Sequence, residues 1–317
     1  MSKLAIGIDI GGTTTKFGVV NAEGKILEQD RISTTKYEDV NDFINDLDSK
    51  LTPMILRNGG LEKFIGIGVG APNGNYYSGT IEYAPNLNWK GIVPIAELIH
   101  KKIGLPTKLT NDANAAAVGE MQYGCAKRIK HFICITLGTG VGSGIVIDGK
   151  IVLGHDGFAG ELGHTIIRKG GRFHKGTGSH GCLESYASAT GVRETAFEFL
   201  AEDPTQESLL RNYTTEELTS QIVFECASKG DVIAKKVFEF TGEILGEALA
   251  NFVMFSSPEM IVLFGGLTKA GDLLMKPTKA SMEANLIQIF KHKVKIVFSN
   301  LHESDAAILG ASALVLE

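Results

Sequence analysis

The chain has 317 residues, 44% hydrophobic and 21% charged, with a formal net charge of −5. That length carries a large core and up to two domains, and an acidic balance without a long basic run argues against nucleic acid as a partner. No apolar run reaches the length of a membrane span. The start, Met1-Ser2-Lys3-Leu4, lacks the shape of a secretion signal, and Cys125, Cys134, Cys182 and Cys226 lie far apart with no Cys-x-x-Cys. They read as reduced thiols of a cytoplasmic protein. Glycine supplies 38 of 317 residues, about 12% against a usual level of about 7%.

In chain order, residues 3 to 32 read as strand, hairpin and strand. An amphipathic helix follows near 39 to 57, with Pro53 expected to bend or split it. Phe64 to Gly70 reads as a buried strand, Pro94 to Ile103 as a short helix opened by proline, and Lys108-Leu109-Thr110 as the end of a short strand. Asn111-Asp112 opens an alanine-rich helix to about Tyr123. A second hairpin spans 131 to 152, and a glycine-rich irregular region spans 154 to 182. Beyond it the pattern is mostly helical, with a long helix from Asp231 to about Phe255. Strands follow at 259 to 264, ending in Gly265-Gly266, and at 293 to 298; Ser304-Asp305 caps a last helix. Strands followed by alternating helices and strands, twice over, predict two α/β domains of related topology.

The two hairpins look like copies of one device. Ile6-Gly7-Ile8-Asp9-Ile10-Gly11-Gly12-Thr13 runs into Thr14 and Thr15, and Ile133-Cys134-Ile135-Thr136-Leu137-Gly138-Thr139-Gly140 runs into Val141 and Gly142. Glycine turns let backbone N–H groups approach a ligand closely, and successive N–H groups with threonine hydroxyls surround phosphate oxygens. Two such turns suggest two halves facing one nucleotide across a cleft. Aligning the strands sets Asp9 opposite Thr136, so only the first copy carries a carboxylate, a donor suited to hydrated Mg²⁺.

Taken together, the motifs resemble the ROK family of repressors, open reading frames and sugar kinases, with the bacterial glucokinases as its nearest members. The matching residues are Asp9-x-Gly11-Gly12-Thr13, Gly70-Ala71-Pro72, Pro85-Asn86-Leu87-x-Trp89, Asn111-Asp112-x-Asn114 and Gly138-Thr139-Gly140-Val141-Gly142. After them come Glu161-x-Gly163-His164, Gly181-Cys182-Leu183-Glu184 and Gly265-Gly266, in family order. The resemblance implies a two-domain actin-like (ribonuclease H-like) ATPase fold with an interdomain cleft. It places a small domain at 1–111 plus 303–317 and a large domain at 112–302. It also implies ATP and Mg²⁺, transfer of the γ-phosphoryl group to a hexose with glucose foremost, and a homodimer.

In that pattern Asp112 is the catalytic base. A sugar hydroxyl is a poor nucleophile, and an ionised carboxylate orients it and accepts its proton. On local sequence alone, Asp112 or Asn111 would equally serve as a helix cap. Asn86, Asn111, Glu161, His164 and Glu184 are the family's sugar-binding positions, with Asp112. Carboxylates and imidazole suit adjacent hydroxyls. Asp9, Gly11, Gly12, Thr13, Thr14, Gly138, Thr139, Gly140, Gly142, Gly265 and Gly266 belong to the nucleotide, the last two against adenine or ribose. Asn73 stands where many relatives have glycine, and Trp89 reads as a core anchor. Lys16 reads either as a phosphate contact or as a solvated strand residue.

Many relatives hold a structural Zn²⁺ with the histidine of Glu-x-Gly-His and three cysteines in Cys-x-Cys-Gly-x-x-Gly-Cys. Here His164 and Cys182 remain, while the other cysteine positions fall at Lys175 and Thr177, or at His174 if the loop has one extra residue. Lysine and threonine are poor zinc donors, and His164, His174, His180 and Cys182 follow no familiar ligand spacing. The reading therefore assigns no metal ligand. It expects hydrogen bonds to hold the loop and to fix the His164 ring. Kinases for N-acetylhexosamines or fructose, or for a donor such as polyphosphate, share these motifs. A sugar-responsive regulator is disfavoured because Asp9 leaves no room for a helix-turn-helix before it. An actin-like ATPase without a sugar site is disfavoured by Glu161, His164 and Glu184.

Overall fold

The computed structural model describes residues 3–316. Its strands are β1 Leu4–Ile10, β2 Thr14–Asn21, β3 Ile26–Ser33, β4 Phe64–Gly70, β5 Gly74–Asn75, β6 Thr80–Glu82, β7 Ile92–Val93 and β8 Thr107–Thr110. The later ones are β9 Phe132–Leu137, β10 Val141–Ile147, β11 Lys150–Ile151, β12 Met260–Phe264 and β13 Lys295–Phe298. The α-helices are α1 Val40–Arg57, α2 Ile95–Ile103, α3 Asp112–Gln122, α4 Glu184–Ala187, α5 Ala189–Glu202, α6 Ser220–Ser228, α7 Val232–Ser256, α8 Asp272–Asn285 and α9 Glu303–Leu316.

The chain forms two compact units. The first holds residues up to Lys130, Gly144–Gly160 and those from Ser299 on; the second holds His131–Ser143 and Glu161–Phe298. The expected boundary at 112 falls inside the first unit, at the start of α3. Gly119 of α3 lies against Gly310 of α9 so closely that a Cβ would sit 2.9 Å from the Gly310 Cα. Two α-helices without side chains at the crossing pack backbone to backbone, which ties α3 and α9 into one body.

In the first unit the sheet order is β3-β2-β1-β4-β8. The β1–β2 and β2–β3 pairs are antiparallel, and β1–β4 and β4–β8 are parallel. Gly7 of β1 and Gly68 of β4 face α9, where a Cβ would lie 2.0 Å from the Ile308 carbonyl oxygen and 1.8 Å from that of Ala311. Glycine in a strand marks such a close approach, and these two let α9 lie on the sheet. On the core side Phe17, Phe43, Leu47, Leu51 and Ile67 are fully buried. A small sheet β5-β6-β7, not foreseen from the pattern, adds to this unit.

α1 runs unbroken through Pro53. Its buried stripe of Phe43, Ile44, Leu47, Leu51, Met54 and Ile55 continues on both sides of the proline, so burial of the whole face offsets the lost backbone bond.

The second five-stranded sheet repeats the order as β11-β10-β9-β12-β13, with β9–β12 and β12–β13 parallel. The division between units passes through β10. In the second unit α7 is buried along most of its length, from Ile233 to Val253. Gly242 and Gly246 admit Pro277, Thr278 and Ser281 of α8. No helix among the described residues is long and apolar enough to cross a membrane.

Candidate active site

In the first unit the end of β1 delivers Asp9 beside Lys16 of β2 and Gly70 of β4. The turn that follows is closed by the Gly11 N–H donating to the Thr14 carbonyl at 3.1 Å. A Cβ on Gly12 would meet the Asn86 backbone oxygen at 2.9 Å and its side chain at 3.2 Å. The phosphate-type turn and Asn86 are therefore brought together, and Gly12 is the reason they can meet. Leu87 and Trp89 anchor that segment: Trp89 is buried, donates its indole N–H to the Tyr37 carbonyl at 3.2 Å and lies 4.6 Å from Phe43 ring to ring. Asn73 has φ +49°, a left-handed conformation that glycine adopts freely and asparagine tolerates. That conformation explains how asparagine stands at a glycine position.

Asn111, not Asp112, is the N-cap of α3, its Oδ1 accepting the Asn114 N–H at 2.6 Å. Asp112 is the first helical residue, and its Oδ1 accepts the neighbouring Ala113 N–H at 2.9 Å. The cap is thus supplied by the neighbour. Asp112 keeps contact with water, yet the protein packed round it raises its carboxyl above the ordinary range, and the Ala113 N–H pulls the other way. Burial, then the charge of Asp112, raise Asp9 from 3.8 to about 6, with Lys16 opposing. Two carboxylates whose charges repel fit a hydrated divalent cation, which would relieve the repulsion. Asp9 is the residue that would hold it.

In the second unit the β9–β10 turn is held from several sides. The Gly138 N–H donates to the Gly140 carbonyl at 3.0 Å, and the Gly142 N–H to Thr136 Oγ1 at 3.1 Å. Thr136, the counterpart of Asp9, thus secures its own turn. The start of α5 fixes the turn's carbonyls, the Ala189 N–H donating to Gly138 at 2.8 Å and Thr190 Oγ1 to Thr139 at 3.2 Å.

Val141 gathers the sugar-site candidates of this unit. Its N–H donates to Glu184 Oε2 at 2.6 Å. Gly163 packs on its carbonyl so tightly that a Cβ would lie 1.9 Å from that oxygen. Glu161 and His164 flank Gly163, and His164 Nε2 is 3.8 Å from Glu161 Oε2. Gly140 lies beside Glu184 too, where a Cβ would meet Oε2 at 2.4 Å. Glu161, His164, Glu184 and the 138–142 turn therefore form one constellation. Gly265, at φ +108°, begins a 3-10 turn over 266–270, and a Cβ there would strike the Leu137 carbonyl at 2.6 Å. The protein's own backbone already demands glycine at this position.

Two residues of the 172–182 loop carry more than the motifs indicated. His174 Nε2 is 2.7 Å from Glu184 Oε1 and its Nδ1 is 2.9 Å from Thr177 Oγ1. Arg172 lies over the Tyr186 ring at 4.6 Å, forms a bidentate pair with Glu198, and donates to the Ser185 and Gly191 carbonyls and to Thr195 Oγ1. The motifs mark His174 only as a metal donor, and Arg172 carries no sequence signal, because its partners lie 13 to 26 residues away.

Three candidate metal donors come together among the described residues. His164, His174 and Cys182 place donor atoms within 4.8 Å of one another, one short of the four that a structural tetrahedron needs. Both ring nitrogens of His174 are engaged, and Cys182 Sγ is 3.2 Å from Ser185 Oγ. The His164 ring departs from expectation. Its Nδ1 is buried without a hydrogen-bond partner, and the ring is steadied by the His174 ring at 5.6 Å between centroids.

The ROK family profile matches residues 5–317. The chain is 36% identical over 316 residues to a glucokinase of Halalkalibacterium halodurans, covering 98% of this chain and 94% of that one. It is 32% identical over 318 residues to a glucokinase of Thermotoga maritima, covering 98% and 97%. The structure of a ROK family glucokinase from Streptomyces griseus in complex with glucose and AMPPNP superposes with a TM-score of 0.81 at 30% identity, covering 98% of both chains. The chain belongs to the ROK family, and its fold is the two-domain actin-like one.

Proposed function

We infer that this ROK family sugar kinase transfers the γ-phosphoryl group of ATP to the 6-hydroxyl of glucose, with Asp112 as the base. The likeness to glucokinases over nearly the whole chain supports ATP and glucose as the substrates. The observation that carries the role of Asp112 is the division of labour at α3. Asn111 caps the helix and leaves the Asp112 carboxylate available to a hydroxyl. In a loose phosphoryl-transfer transition state such a group chiefly orients the attacking oxygen and takes its proton late.

Asn86, Asn111 and Asp112 of the first unit, and Glu161, His164 and Glu184 of the second, are assigned to the sugar hydroxyls. The turns 11–14 and 138–142 are assigned to the phosphates, and Gly265-Gly266 to the nucleoside. Mg²⁺ held through water by Asp9 would supply charge neutralisation at the phosphates. A cytoplasmic homodimer working in glucose breakdown completes the proposal.

The test is a panel of hexoses with ATP in a coupled assay of ADP release, with ³¹P NMR of the product. Glucose is expected to give the highest kcat/KM and a 6-phosphate. A preference for an N-acetylhexosamine or fructose, or phosphate at the anomeric oxygen, would overturn the assignment.

A further inference from the structure

We propose that His174 is a positioning residue that holds Glu184 in place for the sugar, and that a hydrogen-bonded chain does in this loop the work of a metal. The inference rests on the sugar-kinase reading of Glu184.

Glu184 is gripped at both oxygens. The Val141 N–H donates to Oε2 at 2.6 Å, and His174 Nε2 faces Oε1 at 2.7 Å. The other ring nitrogen meets Thr177 Oγ1 at 2.9 Å, and Thr177 meets Ser179 Oγ at 2.7 Å. With a neutral ring, Ser179 donates to Thr177 and Thr177 to His174 Nδ1; with a charged ring, Nδ1–H donates to Thr177 and Thr177 to Ser179; in both, Nε2–H faces Glu184 Oε1. Two oriented donors leave the carboxylate its remaining lone pairs for sugar hydroxyls. His174 and Glu184 are each less than one-fifth exposed in their side chains, so solvent does little to loosen the bond.

The loop that presents His174 is closed by its own backbone pairing. Phe173 pairs with His180 and Ile166 with Cys182 as antiparallel bridges. The His174 N–H donates to the Ser179 carbonyl at 2.8 Å, and the Gly178 N–H to the His174 carbonyl at 2.9 Å. Arg172, two residues before His174, is fixed to Glu198, Thr195, Ser185 and Gly191. A metal at His164, His174 and Cys182 would have to take a nitrogen that already serves Glu184 or Thr177. Ligation and the present grip on Glu184 therefore compete for one ring.

Two isosteric variants separate the readings. The amide of glutamine in His174→Gln reaches the place of Nε2 and still donates to Glu184. The shorter amide in His174→Asn reaches the place of Nδ1 and keeps only Thr177. A hydrogen bond to a charged group is worth enough that His174→Asn should raise the glucose KM about ten- to hundredfold. The ATP KM and kcat should move much less, and His174→Gln should stay within about threefold of wild type. Equal glucose KM values in the two variants would overturn the proposal. So would about one zinc per wild-type chain that survives dialysis against EDTA. A wild-type chain with no sugar-dependent ADP release would sink the kinase reading instead. In that event ¹H–¹⁵N NMR of the His174 ring still reads the grip on Glu184: a bonded Nε2–H that persists unchanged in Glu184→Ala would refute it.

Discussion

Replacing Asp112 by asparagine should abolish most of the turnover and leave the fold intact. The structure separates these two effects. The helix cap belongs to Asn111, whose Oδ1 bond to the Asn114 N–H is untouched by the change. Asparagine at 112 can still accept the Ala113 N–H that Asp112 accepts at 2.9 Å. It also removes a carboxylate whose charge repels Asp9, so the melting temperature should not fall. What disappears is the proton acceptor. Loss of a general base costs about 10²- to 10⁴-fold in kcat, about 3 to 5.5 kcal/mol in the barrier.

The assay is glucose-saturated ADP release, with calorimetric titration of glucose to show that binding survives. The control is Asn111→Ala, which deletes the cap at a cost of about 1 kcal/mol and should lower the melting temperature by about 2–4 °C. Because the surroundings raise the Asp112 pKa, the acid limb of the wild-type kcat/KM profile should lie above 3.8, with activity lost as pH falls through it. An Asp112→Asn enzyme retaining more than half of the wild-type kcat would refute the assignment. So would an Asn111→Ala variant as stable as wild type, since the cap would then not be where the geometry puts it.

Asp9, raised from 3.8 to about 6 by burial and by Asp112, binds its proton more tightly in the folded chain than in the unfolded one. Its contribution to stability is complete below about pH 4 and is lost as pH rises through about 6. Without Mg²⁺ and nucleotide at pH 7.5, Asp9→Asn should melt above wild type, by up to about 3 kcal/mol and less for partial exposure to water; a variant no more stable than wild type would contradict this. Gly163→Ala would put a methyl group 1.9 Å from the Val141 carbonyl oxygen, whose own N–H holds Glu184. Melting should drop by about 5–10 °C and the glucose KM should rise, and wild-type values of both would show that this contact is not needed. Burial and Glu120 push the Cys125 thiol up to about 12, leaving roughly one thiolate in ten thousand at pH 8. Mass spectrometry should find Cys125 in the native chain unlabelled by iodoacetamide over minutes, and prompt labelling would count against that environment.

Local chemistry was legible wherever neighbours in the chain are also neighbours in space. The two hairpins with their glycine turns, the opening of α3 at Asn111-Asp112 and the strand ending at Gly265-Gly266 follow from alternation, turn residues and capping over a few positions. Local sequence does not choose between Asn111 and Asp112 as the cap, because both side chains can reach a free N–H. Backbone geometry decided it, with Asn111 extended and Asp112 already helical.

Tertiary structure alone decided three other things. α1 continues through Pro53 because its apolar stripe is buried on both sides of the break. α9 lies on the first sheet because Gly7 and Gly68 admit its backbone, a close approach that two strand glycines permit without naming their partner. His174 reaches Glu184 because Arg172 is anchored on α5 and the loop folds back on itself. The sequence holds each of these residue types at its position, but periodicity reports only which face of an element is apolar. Which faces meet, and so which distant polar groups find one another, depends on the packing of the whole chain, and that is where Glu184 acquires its second donor.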